Sequence, residues 1–423
     1  MKRNKYKAIA ILMSAFLLAS TSCAHKKQNS PMIEEAEEEV SQPEISPLDS
    51  VIRHDFKSAN EMAFLLFEQV DKHKGRENFM ISPFSLTNAL VMLANGADGN
   101  TLKQIKDVLG AKDMSIDKIC KMYRDLDVYL KSVDPETSFA NSSSIWIDDK
   151  FQVKADFIRK NKEIFNAEVY NKPLATEKTM NDINSWCDKQ TKGHIKDILQ
   201  NIPSQDSRML LMNALYFKGA WAETFDKDST KDDYFTNFDG SKSRVKMMHQ
   251  TTDLRACVCK GVDMVMFPYG EEGDFYMEII LPHKGENLDT SMKNLRSEHV
   301  DKMESYASSY KVNISMPRME LRCETSLNSS LKALGMSDAF ANNANFSKIS
   351  DNDLYVSDIH QTTYIKVDEE GTEAAAETDE ILKCKEIVVN QETLEFNMNR
   401  PFLYLIREKK TGTILFMGKV RKL

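Results

Sequence analysis

The sequence predicts one large domain of mixed helix and strand, carried behind an export segment and interrupted near its C-terminus by a long connection without a core of its own. Three observations lead there. Of the 423 residues, 41% are apolar, enough for one large core or two ordinary ones. From residue 55 onward no Pro/Gly/Ser-rich linker and no internal repeat divides the chain, which gives a single domain of about 370 residues. Two strand-like runs, Tyr364–Val367 and Pro401–Ile406, enclose a long segment with no core pattern, and long structureless connections inside a domain are usually functional or disordered.

The N-terminus stands outside that domain. Met1-Lys-Arg-Asn-Lys-Tyr-Lys7 is positive, Ala8–Ala19 is an apolar run of signal-peptide length, and small residues lead to Cys23. A small-residue run ending in Cys resembles a bacterial lipoprotein cleavage site, although Ser20 stands where a Leu is usual. Residues 1–23 are therefore expected to be a signal peptide with Cys23 lipidated, the other reading being a plain signal peptide cut nearby. Residues 24–54 carry Glu34-Glu-Ala-Glu-Glu-Glu39 and three prolines up to residue 50, a composition that buries too little to fold. They read as a flexible acidic tether. The apolar run is too short to span a bilayer as a helix. The expected location is outside the cytoplasm: lipid-anchored at a bacterial outer membrane, on its periplasmic or cell-surface face, or secreted.

The connection itself reads Glu369-Glu-Gly-Thr-Glu-Ala-Ala-Ala-Glu-Thr378 at its start. Two conformations compete for it. Residues 373–383 are rich in good helix formers, which suggests an exposed helix. As a strand, the same residues separate into two faces. Thr372, Ala374, Ala376, Thr378, Glu380, Leu382 and Cys384 form a small, mostly uncharged face, whereas Glu373, Ala375, Glu377, Asp379, Ile381, Lys383 and Lys385 form a mostly charged one. Such a strand can slide into a sheet with its small face on the core, and Gly371 can absorb the dihedral changes the motion needs.

Several blocks occur in a set order along the chain. Ile81-Ser-Pro-Phe-Ser-Leu86 is followed by Gly96-Ala-Asp-Gly-Asn-Thr101, by Ile183-Asn-Ser-Trp-Cys-Asp-Lys-Gln-Thr-Lys-Gly-His-Ile-Lys-Asp-Ile198, and by Asn213-Ala-Leu-Tyr-Phe-Lys-Gly-Ala-Trp221 with Phe225. Met247-Met-His-Gln250, Leu334-Gly-Met-Ser-Asp-Ala-Phe340, the 368–374 hinge, Arg400-Pro-Phe402 and Phe416-Met-Gly-Lys-Val420 complete the series. In order and spacing this chain resembles the serpins, from about residue 55 to the C-terminus.

The resemblance implies an α+β serpin fold of three β-sheets (A, B and C) with eight or nine helices, a serpin domain over 55–423, and an exposed reactive-centre loop at about 369–395. It implies a suicide-substrate inhibitor: a protease cuts the loop, and the freed half inserts into sheet A before the acyl-enzyme is hydrolysed. The hinge is expected at Glu369, Glu370, Gly371, Thr372, Glu373, Ala374, Ala375, Ala376, Glu377 and Thr378. Glu377 is expected on the outward face, solvated by water; Glu380 falls on the inward face, where an unpaired carboxylate is costly. Counting from the hinge sets the reactive bond at Lys385–Glu386, with Cys384–Lys385 and Lys383–Cys384 as runners-up. Counting back from Pro401 gives a later position, between Ile387 and Asn390. Lys385 points to trypsin-like serine proteases or Lys-specific cysteine proteases as partners. The shutter, where sheet A parts, is expected to use Ser82, Ser85 and Asn213. Gln361 is favoured for the place usually held by His, with His360 as the alternative if a bulge intervenes. Lys218 and Trp221 resemble the breach at the top of the sheet. A non-inhibitory member acting as a binding, carrier or chaperone protein is the alternative.

Other classes are excluded on composition and pattern. Net charge is −8 with lysines such as Lys103, Lys106 and Lys112 spread out, which argues against nucleic acid. No Gly-x-Ser-x-Gly elbow, His-Glu-x-x-His, phosphate loop or Cys-x-x-Cys is present, so no enzyme, metal or cofactor is expected. Cys120, Cys187, Cys257, Cys259 and Cys323 read as free thiols buried in a domain too large to need staples, while Cys384 belongs to the exposed loop. The chain is expected to be a monomer.

Overall fold

The computed structural model describes residues 52–372 and 393–423. The first stretch of chain gives α1 (Ile52–Lys74), β1 (Phe79–Ile81), α2 (Pro83–Ala94), α3 (Gly99–Val108), α4 (Ile116–Ser132), β2 (Ser138–Ile147), α5 (Ala155–Phe165), β3 (Glu168–Asn171), α6 (Glu177–Gln190) and β4 (Met209–Ala220). Then follow β5 (Lys231–Thr236), β6 (Lys242–Val258), β7 (Val262–Tyr269), β8 (Phe275–Pro282), α7 (Leu288–Ser291), α8 (Ser297–Tyr306), β9 (Ser308–Pro317), β10 (Met319–Ser326) and α9 (Asn328–Ala333). The last elements are β11 (His360–Asp368), β12 (Gly371–Thr372), β13 (Leu394–Asn397), β14 (Phe402–Glu408) and β15 (Ile414–Val420). Helix α1 starts at Ile52, so the last three residues assigned to the tether are helical; the turn they form leads directly into the buried Phe56.

Hydrogen bonding joins the described strands into two sheets rather than three. One has nine strands in the order β1-β15-β14-β8-β7-β6-β9-β13, with β5 added on β6. The expected sheets B and C are continuous because β6, 17 residues long, pairs with β7 through Arg255–Val258 and with β5 through Lys242–Thr236 and its neighbours. The other sheet, the expected sheet A, has six strands in the order β10-β11-β12-β4-β2-β3.

Helix α2 shows why the six-stranded sheet sits where it does. Ser82 caps it by accepting a bond from the Ser85 amide at 3.3 Å, and Pro83 occupies its first turn, where a missing N–H costs nothing. Nearly all its residues are buried, and it packs on both β4 and β15. A helix apolar on all sides belongs inside a protein, and α2 lies between the sheets. Helix α6 covers the other face of β4, with Ile183, Trp186 and Cys187 closing a smaller cluster over Ala214 and Trp146.

Candidate functional site

Gly371 and Thr372, the described residues of β12, lie between two longer strands of the sheet. Gly371 and Thr372 pair with Asp368 and Val367 of β11 on one side, and with Ala220 and Gly219 of β4 on the other, antiparallel to both. Among the described residues no ladder bond joins β4 to β11 directly. At the hinge β4 and β11 therefore stand two strand spacings apart, with Gly371 and Thr372 in the slot between them.

Packing at the top of the slot explains the residue types. Gly371 has φ +151°, and a Cβ there would come within 2.1 Å of the Gly219 carbonyl oxygen, so only glycine fits. Thr372 is buried, and its hydroxyl shares a 2.6 Å hydrogen bond with the Tyr269 hydroxyl. Burial pushes the Tyr269 hydroxyl far above its ordinary pKa, so it stays a neutral donor or acceptor. Tyr269 stacks on Trp221 at 4.7 Å. Trp221 in turn donates from its indole to the Asp368 carbonyl at 3.0 Å and from its amide to the Glu370 carbonyl at 2.9 Å. Trp221 thus holds the turn between β11 and β12. Lys218 faces the α6 side, near His194.

Glu369 and Glu370 anchor the same turn. Glu369 is 2% exposed, with its carboxylate bound by Arg318 at 2.6 and 2.8 Å and by the Thr230 hydroxyl. Burial raises its pKa, but the bonds from Arg318 and Thr230 outweigh that and hold it below the usual carboxylate value. Glu370 pairs with Lys227. Tyr269, Arg318, Thr230 and Lys227 were not singled out in the sequence. They come from three segments far from the hinge in sequence, Lys227 and Thr230 sharing one turn, so no local pattern could have marked them.

Lower in the sheet, Gln361 rather than His360 stands beside Ser82. Its side-chain oxygen accepts from the Ser82 amide at 2.8 Å, and its nitrogen donates to the Ser82 carbonyl at 2.9 Å. His360 is exposed, and β10 pairs with β11 from Met319↔Val367 to Ser326↔His360 with no break, so no bulge shifts it inward. Ser85 is buried one turn into α2. Asn213 does not join them: its amide donates to Asn141 at 2.8 Å and to Ser143 at 3.0 Å, both on β2. Its side-chain oxygen is buried without a partner among the described residues.

The remaining hinge residues (Glu373, Ala374, Ala375, Ala376, Glu377 and Thr378), Glu380, the bond region Lys383, Cys384, Lys385 and Glu386, and Cys23 all lie outside the described residues. Cys120, Cys187, Cys257, Cys259 and Cys323 are free thiols, all buried except the half-buried Cys259. Cys257 and Cys259 share a face, with their sulfurs 2.7 Å apart, and burial beside Cys257 pushes the Cys259 thiol up to about 12. Among the described residues no three His, Cys, Asp or Glu side chains gather as a metal site.

A glycine hinge seated between two strands of the sheet, over a helix capped by Ser82, agrees with comparison to known proteins. The family model described as "Serpin (serine protease inhibitor)" matches residues 57–423. The chain belongs to the serpin family. Among its relatives is the glia-derived nexin of Homo sapiens, 31% identical over 84% of this chain and 90% of that protein. Among solved structures, the serpin resembles the thermophilic serpin tengpin in its native state (TM-score 0.78, 30% identity, 88% of this chain and 94% of that one). It also resembles thyroxine-binding globulin in complex with thyroxine (TM-score 0.79, 25% identity, 87% and 99%). The family is one of protease inhibitors rather than catalysts, with some members that are carriers.

Proposed function

We propose that this serpin is a suicide-substrate inhibitor of trypsin-like serine proteases or Lys-specific cysteine proteases, cut at Lys385–Glu386. The observation that carries the reading is the pairing of Gly371 and Thr372, at the start of the loop, with both β4 and β11. In the proposed mechanism the protease attacks the Lys385 carbonyl and forms an acyl-enzyme. The loop then extends β12 down the slot, each residue adding ladder bonds worth roughly 1 kcal/mol net. About 14 residues at about 3.3 Å each give a strand of roughly 45 Å, long enough to drag the attached enzyme across the molecule. Distortion of the enzyme's catalytic groups then stalls deacylation. Loop insertion into a serpin sheet is itself a standard example of strand addition and of strain released by cleavage.

The register of β12 supports this reading and sharpens it. Continued downward, it would set Ala374 opposite Phe217 and Ile365, and Ala376 opposite Leu215 and Thr363, where the core face is already filled. Thr378 would meet Asn213 and Gln361 at the shutter, where the unpaired Asn213 oxygen could accept from its hydroxyl. One expectation changes. Glu377 would fall opposite Ala214 and Thr362, both buried on the α6 side, rather than in water. Glu380 would meet Leu211 and Ile359, both apolar and partly buried. These two carboxylates are the specific observation that favours the second reading, a non-inhibitory binding or carrier protein, as is the likeness to a thyroxine carrier.

The test is incubation with trypsin followed by denaturing electrophoresis. A stable, higher-mass complex supports inhibition; quantitative loop cleavage with no complex supports the binding reading. Anchoring through Cys23 is a separate proposal. It is checked by whether Cys23→Ser moves the protein from the membrane fraction to the soluble one.

A further inference from the structure

Outside the hinge, a ring contact links β4 to β11 through the segment that leaves α6. His194, in the segment leaving α6, stacks on Tyr216 of β4 (centroids 5.7 Å apart, planes at 20°) and on Tyr364 of β11 (5.1 Å, 24°). These tyrosines face each other across the gap, and the loop strand would pass directly between their backbones. Two strand spacings come to about 9.6 Å, which leaves room for one ring stacked between two others. In a closed sheet, with β4 and β11 adjacent at about 4.8 Å, the two tyrosines would meet and no ring could lie between them. The sandwich therefore belongs to the widened sheet.

We propose that His194 is a positioning residue for the inhibitory reaction: its neutral ring clamps β4 and β11 at the spacing that receives the loop, and protonation releases the clamp. The proposal rests on the slot being the path of insertion. Ring stacking supplies its energy, and the surroundings supply its pH dependence. From the α6 exit comes Lys192, whose ammonium lies 4.8 Å over the Tyr216 ring. From β4 comes Lys218, from β11 Lys366, and from β10 Glu320, which accepts a 2.9 Å bond from the Tyr364 hydroxyl. Burial first, then the lysines, disfavour the imidazolium, with Glu320 opposing them, and the pKa of His194 lies below its ordinary 6.5. The sign follows: the clamp is at full strength above the free histidine value of 6.5 and weakens as pH falls below it.

The experiment compares guanidinium midpoints of uncut chain and of chain cut in the loop by a protease that is not trapped, in wild type, His194→Ala and His194→Phe, at about pH 7.5 and about pH 5. The expected result has three parts. At the higher pH His194→Ala lowers the midpoint of the cut form by more than that of the uncut form. At the lower pH that gap between wild type and His194→Ala shrinks by more than about half. His194→Phe, which stacks without titrating, keeps the gap at both values. Equal midpoints for cut wild type and cut His194→Ala at the higher pH would overturn the proposal. So would an equal loss in the uncut form, which marks an ordinary packing residue, or a gap that ignores pH. If cutting raises no midpoint in any chain, the insertion reading fails and the clamp falls with it. If cutting raises the midpoint in all chains alike, insertion stands and only the clamp is rejected.

Discussion

The two sheets differ in one respect. The nine-stranded sheet is laddered from β1 to β13, and its β14 and β15 are buried at every position. Behind it, Arg407 and Glu278, both fully buried, join Glu304 and Asp301 of α8 in one ionic cluster. In the six-stranded sheet, among the described residues, β4 and β11 are joined through Gly371 and Thr372 and not directly. Completed ladders resist change because every backbone group is already satisfied. In the proposed inhibitor, a loop strand entering between β4 and β11 satisfies two rows of backbone groups at once, so the capacity to do work lies between those strands.

That contrast can be broken experimentally. Thr372→Arg should have the largest effect, because it sets a long cation against Tyr269 in a buried site. An unpaired buried charge costs several kcal/mol, so insertion should fail and the serpin should become a substrate, with the stoichiometry of trypsin titration rising severalfold. An unchanged stoichiometry would contradict insertion at the hinge. In the closed sheet, Leu405→Ala should cost about 2–5 kcal/mol, and by the same amount in the uncut and cut forms, read by denaturant melts of each. A difference between the forms would mean that the nine-stranded sheet is no passive frame. At the shutter, Gln361→Ala strips partners from the Ser82 amide and carbonyl. About 1–3 kcal/mol should be lost, with a larger loss in whichever form keeps β11 in its present position. The smallest effect is at the breach: Glu369 has a depressed pKa, so its contribution is present above the ordinary 4.5 and lost as pH falls through the folded value. Glu369→Gln should therefore lower stability near neutral pH and flatten its decline in acid, measured by urea midpoints across that range.

Much of the working part was legible because it is one-dimensional. Alternation with a period of two separates the loop into faces, and Thr372 stands on the core side as that alternation requires. Gly371 was legible for the same local reason. Gln361 could be located by counting back from the glycine, since β11 runs without a bulge. What the pattern could not show is what covers each face. Glu377 reads as outward in a strand, but the outward face of β4 at Ala214 is covered by Trp186 and Ile183 of α6, which no alternation in the loop could show. Asn213 resembled a shutter residue in its motif, yet its amide finds Asn141 and Ser143 across a ladder. The partners of Glu369 were hidden because Arg318 and Thr230 come from segments 51 and 139 positions away.

The uncut serpin is proposed to hold free energy that insertion of its loop between β4 and β11 releases. Thermal unfolding of the intact chain, compared with the same chain severed beside Lys385, tests it most directly. New ladder bonds worth roughly 1 kcal/mol each should raise the midpoint of the severed chain by roughly 10–20 °C. Coincident curves for the two would contradict it.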